Sequence, residues 1–347
     1  MITAYSKNGW DPLKTVILGD FIPPDLLKTC LDYSKYDPVK PWLIKIAQET
    51  EEDLFNIQNI LEQYGVEVIR PFDSEFKTQF EAELYKVQQY DLPFDTLPIP
   101  ISPRNDLLVY KDIVIGDRPT FSRKWLDDNL TNKIIYLRDT PLDKVHLPCI
   151  FRCNDTLVIG GQINDDEFEL LKPLFPTNTN FIKTSIPGHV DALMATLREG
   201  LVVYSKTEVT SEDLQATFPG WKHLKCTMYG FNVSTSENKD VPKWSNAIHS
   251  LTDGRWNIDG YDGTDPEKVV EIIDTEFKKY TGQAYETHFD CNILTINPDT
   301  SITVGTDKHL AKRIQDHGHN LIIVPFRHRW FFDQGLHCIT CDLVREH

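Results

Sequence analysis

At 347 residues, the chain is long enough to bury one large hydrophobic core or two ordinary ones. Its 40% hydrophobic and 25% charged content is typical of a globular protein, and its net charge of -16 argues against nucleic acid, whose phosphates require a basic face. The N-terminal residues lack an apolar signal segment, and no apolar run could span a bilayer. We therefore expect a cytoplasmic protein with no nucleic-acid or membrane partner, and the acidic balance suits a small cationic substrate.

The chain repeats one supersecondary unit: a strand, a tight turn, a second strand, a helix and a third strand. The clearest copy runs from Cys291 to Phe326, where Asn297-Pro298-Asp299 supplies the turn and Asp307 caps the helix. In the copy before it, Thr210 or Ser211 caps the helix. The earlier copies contain, in chain order, the strand sequences KTVILGD, DLLVYKDIVIGD and DTLVIGG.

Five strand-rich copies predict an α/β fold closed into a ring, a five-bladed α/β propeller with pseudo-fivefold ββαβ repeats. We expect a single domain over residues 1–347, and one irregular α+β domain is the alternative. In a ring, the strand ends converge on the axis, so site residues are expected there. The segment from Tyr229 to Phe289 interrupts the repeats and is either a lid over the site or a plain surface excursion.

The seven cysteines are odd in number and widely scattered, which indicates reduced thiols rather than a disulfide framework. His337, Cys338 and Cys341 lie together near the C-terminus, but there is no second cysteine pair at zinc-finger spacing, so we expect no metal site. A thiol after Gly335 and beside a histidine is a candidate nucleophile, because nearby positive charge favours the thiolate.

Two further segments contain groups that a nucleophilic thiol would need. His189 and Asp191 stand two residues apart, a spacing that puts both side chains on one face of a strand. Asp106 follows Pro103-Arg104 and precedes an apolar strand. Alone, each segment is more typical of a surface pair or a capped turn. Together with Cys338 they form a set suited to covalent chemistry on a cationic substrate.

The chain resembles the amidinotransferase family, most closely the glycine amidinotransferases. Four segments are similar to family motifs, in the family's order: W-D-P-L from Trp10, P-R with Asp106, H-V-D from His189, and the terminal H-C-I-T-C-D from His337. The last is the most specific. Arg327 and Asn292 also stand where the family has an arginine and an asparagine.

This resemblance implies a five-bladed α/β propeller that uses no metal and no organic cofactor, with a possible homodimer. It implies that Cys338 attacks the guanidinium carbon of arginine, that His189 is the acid and base, and that Asp106 and Asp191 clamp the guanidinium. Arg327 and Asn292 are then substrate-binding. The expected reaction transfers an amidino group to an amine, glycine first of all, giving ornithine and guanidinoacetate.

The sequence departs from the family at three places. His146 stands where the family has a further catalytic carboxylate, and a histidine cannot accept two guanidinium hydrogen bonds. We expect either that His146 orients His189 as a catalytic residue, or that Asp143 or Asp155 substitutes for it. The arginine expected to hold the donor carboxylate is Glu208 here, which leaves Lys206 or Arg198 to bind that group. A run of three glycines before the nucleophile is reduced to one, Asp333-Gln334-Gly335.

Two other functions remain open. An arginine deiminase-like hydrolase would use water and release citrulline. A catalytically silent protein that binds arginine or another guanidino compound would retain Cys338 without turnover, and His146 in place of a carboxylate favours it. A redox role for Cys338 and Cys341 is less consistent with the sequence, because no thioredoxin-like βαβ unit surrounds them.

Overall fold

The computed structural model describes residues 1–32, 34–37, 39–72, 74–90, 92, 94–97, 99–116, 123–186, 188–205, 209–226, 271–272, 275–276, 289–305, 307–332 and 334–346. Its strands form five sheets of three strands each. In every sheet the middle strand pairs antiparallel with one neighbour and in parallel with the other. In four sheets the antiparallel neighbour comes first in the chain, and in the remaining sheet it is the C-terminal strand. The predicted repeats are therefore confirmed in the described residues.

The sheets are numbered in chain order, starting with the one that contains the first strand of the chain. Sheet one contains β1 (Leu13–Leu18) and β2 (Glu67–Ile69). Sheet two contains β3 (Leu107–Tyr110), β4 (Ile113–Gly116) and β5 (Ile134–Tyr136). Sheet three contains β6 (Ile150–Cys153), β7 (Thr156–Ile159) and β8 (Asn180–Lys183). Sheet four contains β9 (Met194–Arg198), β10 (Leu201–Ser205) and β11 (Lys222–Cys226). Sheet five contains β12 (Leu294–Asn297), β13 (Thr300–Thr303) and β14 (Asn320–Ile323), and β15 (Thr340–Arg345) completes sheet one.

The described helices mostly connect the second strand of a sheet to its third. They are α1 (Pro24–Cys30), α2 (Lys40–Gln63), α3 (Ser74–Tyr90), α4 (Pro103–Asp106), α5 (Arg123–Asn129), α6 (Asp165–Leu171), α7 (Val190–Leu193), α8 (Ser211–Thr217), α9 (Lys308–Asp316) and α10 (Arg329–Phe332). The short α4 and α7 instead stand directly before the first strands of sheets two and four. None of the described helices is long and apolar enough to cross a membrane.

Local side chains fix where several helices begin. The side chain of Thr210 accepts a hydrogen bond from the backbone N–H of Asp213 and begins α8. Asp307 accepts from His309 and Leu310 and begins α9. Both caps agree with the sequence predictions, because a cap depends only on residues within one turn.

Sheet one joins the two ends of the chain. Strand β15 pairs antiparallel with β1, with Leu18 opposite Thr340 and Leu13 opposite Arg345. The C-terminal strand thus takes the place of the first strand that the N-terminal repeat lacks. Sheet one also contacts sheet two through β15 and β3, and sheet five through β1 and β12.

The core lies between neighbouring sheets. Leu107 and Val109 of β3 belong to the hydrophobic cluster shared with sheet one, whereas Leu108 and Tyr110 belong to the cluster shared with sheet three. This division follows the twofold alternation of a strand, and it explains why the strand is apolar on both faces. Further clusters join sheet three to sheet four and sheet four to sheet five.

One cavity is lined by residues from the first strand of every sheet. They are Leu108, Ile150, Met194, Thr295 and Arg345, and Arg104, Asp191 and His337 line it as well. We call it the central cavity. Its volume of about 30 Å³ is enough for one or two water molecules.

Candidate active site

The candidate nucleophile lies on a tight loop between α10 and β15. The Thr340 hydroxyl donates to the carbonyl of Leu336 at 2.7 Å, and the N–H of Ile339 donates to the carbonyl of Gly335 at 3.1 Å. Gly19 at the end of β1 donates its N–H to the carbonyl of Ile339 at 2.7 Å. These bonds hold Cys338 in place, and its side chain is buried.

Asn292 contacts this thiol directly. Its Nδ2 donates to Sγ of Cys338 at 2.8 Å, and its Oδ1 accepts from the N–H of Cys338 at 3.0 Å. A donor at this distance stabilises a thiolate. A β-carbon added to Gly335 would lie 2.4 Å from the β-carbon of Asn292, so only glycine allows this approach. The sequence predicted a substrate-binding role for Asn292, and the structure places it on the nucleophile.

Three short helical turns bring the other predicted groups to the same end of the sheets. Asp106 closes α4, His189 precedes α7, and His146 precedes a 3-10 turn at Leu147–Cys149. Helix α4 contacts β15 and the 3-10 turn, and the 3-10 turn contacts α7. Asp106 is buried and His189 is half-buried.

Glycines after β7 support the segment that contains His189. The N–H of Gly160 donates to the carbonyl of Cys149 at 2.8 Å, and the N–H of Gly161 donates to the carbonyl of Ile186 at 2.9 Å. A β-carbon on Gly160 would lie 2.7 Å from Val190. The two glycines therefore let the chain before His189 pack directly on sheet three.

A second histidine lies beside the nucleophile. Nδ1 of His337 is 3.4 Å from Oδ2 of Asp191, and both side chains line the central cavity. Burial lowers the pKa of His337, Arg104 lowers it further, and Asp191 acts in the opposite direction. Oδ1 of Asp191 is buried and accepts no hydrogen bond from the described residues.

A cluster of charges lies in the same cavity wall, around Asp342 of β15. Arg104, Arg152 and Arg345 all donate to its carboxylate, Arg345 through Nε at 2.6 Å, and Ser6 adds a hydroxyl at 2.9 Å. Burial raises the pKa of Asp342, but the three guanidinium groups together hold it well below its usual range. The cluster links segments of sheets one, two and three, and Arg345 also donates to the carbonyl of Thr295 at 2.8 Å.

Sequence reasoning missed both this cluster and the contact of His337 with Asp191. A signal was present for the cluster, since Asp342 stands between Cys341 and the apolar Leu343 and Val344, where an acid is rarely buried unless it is paired. Arg345 is a neighbour on the same strand, but Ser6, Arg104 and Arg152 come from three distant segments that the sequence does not identify.

Other predicted residues lie elsewhere. The side chain of His146 is exposed and makes no capping hydrogen bond. Arg327 donates through Nε to Asp53 at 3.0 Å and through Nη2 to Glu52 at 2.7 Å, both on α2. Lys206 and most of the insert at 229–289 lie outside the described residues. Glu276, a described residue of that insert, accepts a hydrogen bond from Tyr36 at 3.1 Å.

The thiols differ in their surroundings. All seven cysteines are buried thiols rather than disulfides. Sγ of Cys341 donates to the carbonyl of Leu107 at 3.4 Å, and burial raises its pKa to about 11. Cys341 therefore stays a protonated thiol near neutral pH, which disfavours a redox pair with Cys338. Within the described ranges, no group of three or more His, Cys, Asp or Glu side chains could hold a metal.

A buried thiol held by an amide, next to a histidine that contacts a buried carboxylate, on an α/β fold of five small sheets, is suited to covalent catalysis. No family model matches the chain. It is 21% identical over 378 residues to inosamine-phosphate amidinotransferase 1 of Streptomyces griseus, covering 97% of this chain and 96% of that protein.

Two solved structures share the fold. An amidinotransferase of saxitoxin biosynthesis from Microseira wollei matches with a TM-score of 0.63 and 15% identity, covering 100% of this chain and 98% of that one. The N-terminal domain of ArgZ, an arginine dihydrolase from cyanobacteria, matches with a TM-score of 0.54 and 12% identity, covering 96% and 98%. The fold is therefore the α/β fold of amidinotransferase structures. The similarity to the Streptomyces amidinotransferase extends over nearly the full length of both chains.

Proposed function

We propose that the protein is an amidinotransferase that moves the amidino group of L-arginine to an amine through a covalent intermediate on Cys338. The observation that carries this proposal is the buried Oδ1 of Asp191, which accepts no hydrogen bond from the described residues. A buried carboxylate oxygen without a donor is costly, so a ligand rich in N–H groups is expected there. A guanidinium is such a ligand, and it can be bound in the bidentate manner.

The reaction has two halves. In the first, the sulfur of Cys338 forms a bond with the guanidinium carbon, and the resulting tetrahedral adduct breaks its bond to the ornithine nitrogen. Protonated His189 donates its proton to the departing amine, which leaves an amidino-cysteine. In the second, neutral His189 takes a proton from the acceptor amine, which attacks the amidino carbon and breaks the carbon–sulfur bond. The thiolate returns beside Asn292.

The carboxylate clamp consists of Asp191 and Asp106 in this proposal. His146 does not replace a carboxylate, because its exposed side chain could at most contact the site from outside. We assign the carboxylate of arginine to Lys206 rather than to Arg327, since acidic side chains of α2 already occupy the Arg327 guanidinium.

The acceptor we propose first is glycine, with ornithine and guanidinoacetate as products. The similarity to a protein named for inosamine phosphate makes an amino-cyclitol phosphate the second acceptor to test.

We further infer that the five sheets are the blades of a propeller. Strands of sheet one contact sheets two and five, strands of sheets four and five contact each other, and hydrophobic clusters join sheet two to sheet three and sheet three to sheet four. The first strand of each sheet contributes a residue to the central cavity. An axial site agrees with the positions of Asp191 and His337, which line that cavity.

A hydrolase is the second candidate, because the fold is also that of an arginine dihydrolase domain. In this case the tetrahedral adduct breaks its bond to a terminal guanidinium nitrogen, which takes a proton and leaves as ammonia. Water then attacks the carbon that remains on Cys338 and breaks the carbon–sulfur bond, which releases citrulline. The thiol, the base and the clamp keep the same roles, so the two candidates differ in the leaving group of the first half-reaction and in the nucleophile of the second.

The test is incubation with arginine, with and without glycine, followed by mass spectrometry of the products and of the intact protein. Ornithine with guanidinoacetate supports the transferase, and citrulline supports the hydrolase. Cys338→Ala is the negative control, and Cys341→Ala is the matched control that should retain the adduct. An amidino adduct without glycine transfer leads to a panel of amines that includes an amino-cyclitol phosphate. No product and no adduct would reject both enzymes.

A further inference from the structure

The contact between His337 and Asp191 is built from two groups that lack other hydrogen bonds. Nδ1 of His337 and Oδ1 of Asp191 are buried atoms that find no hydrogen-bond partner among the described residues. Nδ1 faces the other carboxylate oxygen, Oδ2, at 3.4 Å, slightly longer than a normal hydrogen bond. Contacts of this kind in ligand-free sites often shorten when substrate binds.

The charges around His337 come from three elements. Arg104 of α4 faces it, Asp191 of α7 lies on one side, and Asp342 belongs to the adjacent β15. Burial and then Arg104 lower the pKa of His337 below the ordinary value for histidine. The ring is therefore neutral at neutral pH, with one nitrogen that donates and one that accepts.

Arg104 is a potential competitor for Asp191. Its Nε donates to the carbonyl of Thr340 at 3.1 Å and its Nη2 donates to Asp342, and it lines the same cavity as Asp191. A direct pair between the two would neutralise the carboxylate that the substrate needs. His337 lines this cavity with them, and its ring contacts Asp191.

We propose that His337 is a positioning residue: its neutral ring donates from Nδ1 to Oδ2 of Asp191, aims Oδ1 at the guanidinium of the donor, and keeps Arg104 away from that carboxylate. This inference rests on the proposed amidino transfer. It assigns no bond making to His337, which acts through Asp191.

Two substitutions separate this role from simple packing. In His337→Asn, the side-chain amide places a donor close to the position of Nδ1, whereas His337→Leu fills similar space without a donor. We expect the leucine variant to raise KM for arginine about tenfold or more, the effect of losing a hydrogen bond to a charged group, with a smaller change in kcat. The asparagine variant should stay within about threefold of the parent protein. Equal losses in both variants, or no loss in the leucine variant, would overturn the proposal.

The pH dependence gives a second readout. When His337 gains a proton, it adds a positive charge beside Arg104 and weakens the attraction of Asp191 for a guanidinium. KM for arginine should therefore rise as the pH falls below the ordinary range of histidine. The asparagine side chain cannot be protonated in this range, so this variant should lose that rise. If KM for arginine rises at low pH in the asparagine variant as it does in the parent protein, the proposed role of His337 is contradicted.

A measurement that needs no turnover keeps the two proposals distinct. NMR of histidine-labelled protein follows the pKa of His337 in the parent and in Asp191→Asn. Removing the carboxylate should lower this pKa further, because Asp191 opposes the effect of burial and Arg104. An unchanged pKa rejects the positioning role even if arginine is consumed. If the pKa of His337 shifts but no adduct forms on Cys338, the contact between His337 and Asp191 is supported and the amidino transfer is rejected. Asp191→Glu, which moves the carboxylate without removing it, repeats the test if Asp191→Asn does not fold.

Discussion

Asp191 and Asp342 are both buried carboxylates beside the central cavity, yet their surroundings differ. Asp342 accepts hydrogen bonds from three arginines and from Ser6, and it is fully paired. Asp191 has one oxygen 3.4 Å from His337 and another that accepts no hydrogen bond from any described residue. A carboxylate with all its donors supplied holds the fold together, whereas one that lacks donors is available for a ligand.

The comparison predicts that replacing aspartate by asparagine lowers mainly stability at position 342 and mainly activity at position 191. Asp342→Asn leaves the three arginines buried without a counter-charge, which should lower the free energy of unfolding by about 3–5 kcal/mol. Urea unfolding followed by circular dichroism measures this loss. Asp191→Asn is the matched control, and a similar loss in both variants would show that the two sites do not differ in this way.

Asp191→Asn should instead reduce activity. We expect kcat/KM for arginine to fall about 100-fold, since a charged hydrogen bond to the guanidinium is lost in the transition state. The free energy of unfolding should stay within about 1 kcal/mol of the parent or rise, because an unpaired buried charge is removed. Steady-state kinetics beside urea unfolding gives both values. Normal kinetics in this variant would remove Asp191 from the clamp.

The pairing of Asp342 should also make the stability of the protein depend on pH. The folded protein holds the pKa of Asp342 well below that of an unfolded aspartate, about 3.9. Its contribution to stability is therefore fully present above about pH 5 and is lost as the pH falls through the unfolded and then the folded pKa. Unfolding measured from pH 6 to pH 3 should show a steeper loss in the parent than in Asp342→Asn. Parallel curves would contradict the assignment.

The contact between Gly335 and Asn292 extends the comparison to the nucleophile. Gly335→Ala introduces a carbon 2.4 Å from Asn292, so we expect a loss of about 1–3 kcal/mol and slower formation of the Cys338 adduct. Intact-protein mass spectrometry follows the adduct over time. In an Asn292→Gly background the added carbon meets no side chain there, so the loss of stability should shrink. Equal losses in both backgrounds would place the strain elsewhere.

Local features of the fold could be predicted from the sequence, whereas the candidate site could be predicted only in part. The strand pairs, the cap at Asp307 and the terminal thiol depend on short stretches of sequence. The pairing of Arg327 with Asp53 joins residues 274 apart in the chain, and no periodicity reveals it. For the same reason the sequence identified Asp191 as a ligand group, but not His337 as its neighbour.

We expect the smallest effect on activity, and only a modest effect on stability, from substituting Arg327. It is a cation that is already paired at a partly exposed site, unlike the buried carboxylates Asp191 and Asp342. Its guanidinium contacts Asp53 and Glu52, with 36% of its side chain exposed. Asp53 is buried, but it keeps the backbone N–H of Arg327 as a donor and can accept a hydrogen bond from the new amide, so Arg327→Gln should lower the free energy of unfolding by only about 1–2 kcal/mol. KM for arginine should change less than about twofold, because the Arg327 guanidinium is already paired with acidic side chains of α2 and is not expected to bind the substrate carboxylate. Lys312→Gln, which breaks the exposed pair with Asp316, is the control for losing a surface cation. A tenfold rise in KM confined to the Arg327 variant would instead assign the donor carboxylate to Arg327, in which case the acidic side chains of α2 serve to hold that guanidinium in place for the substrate.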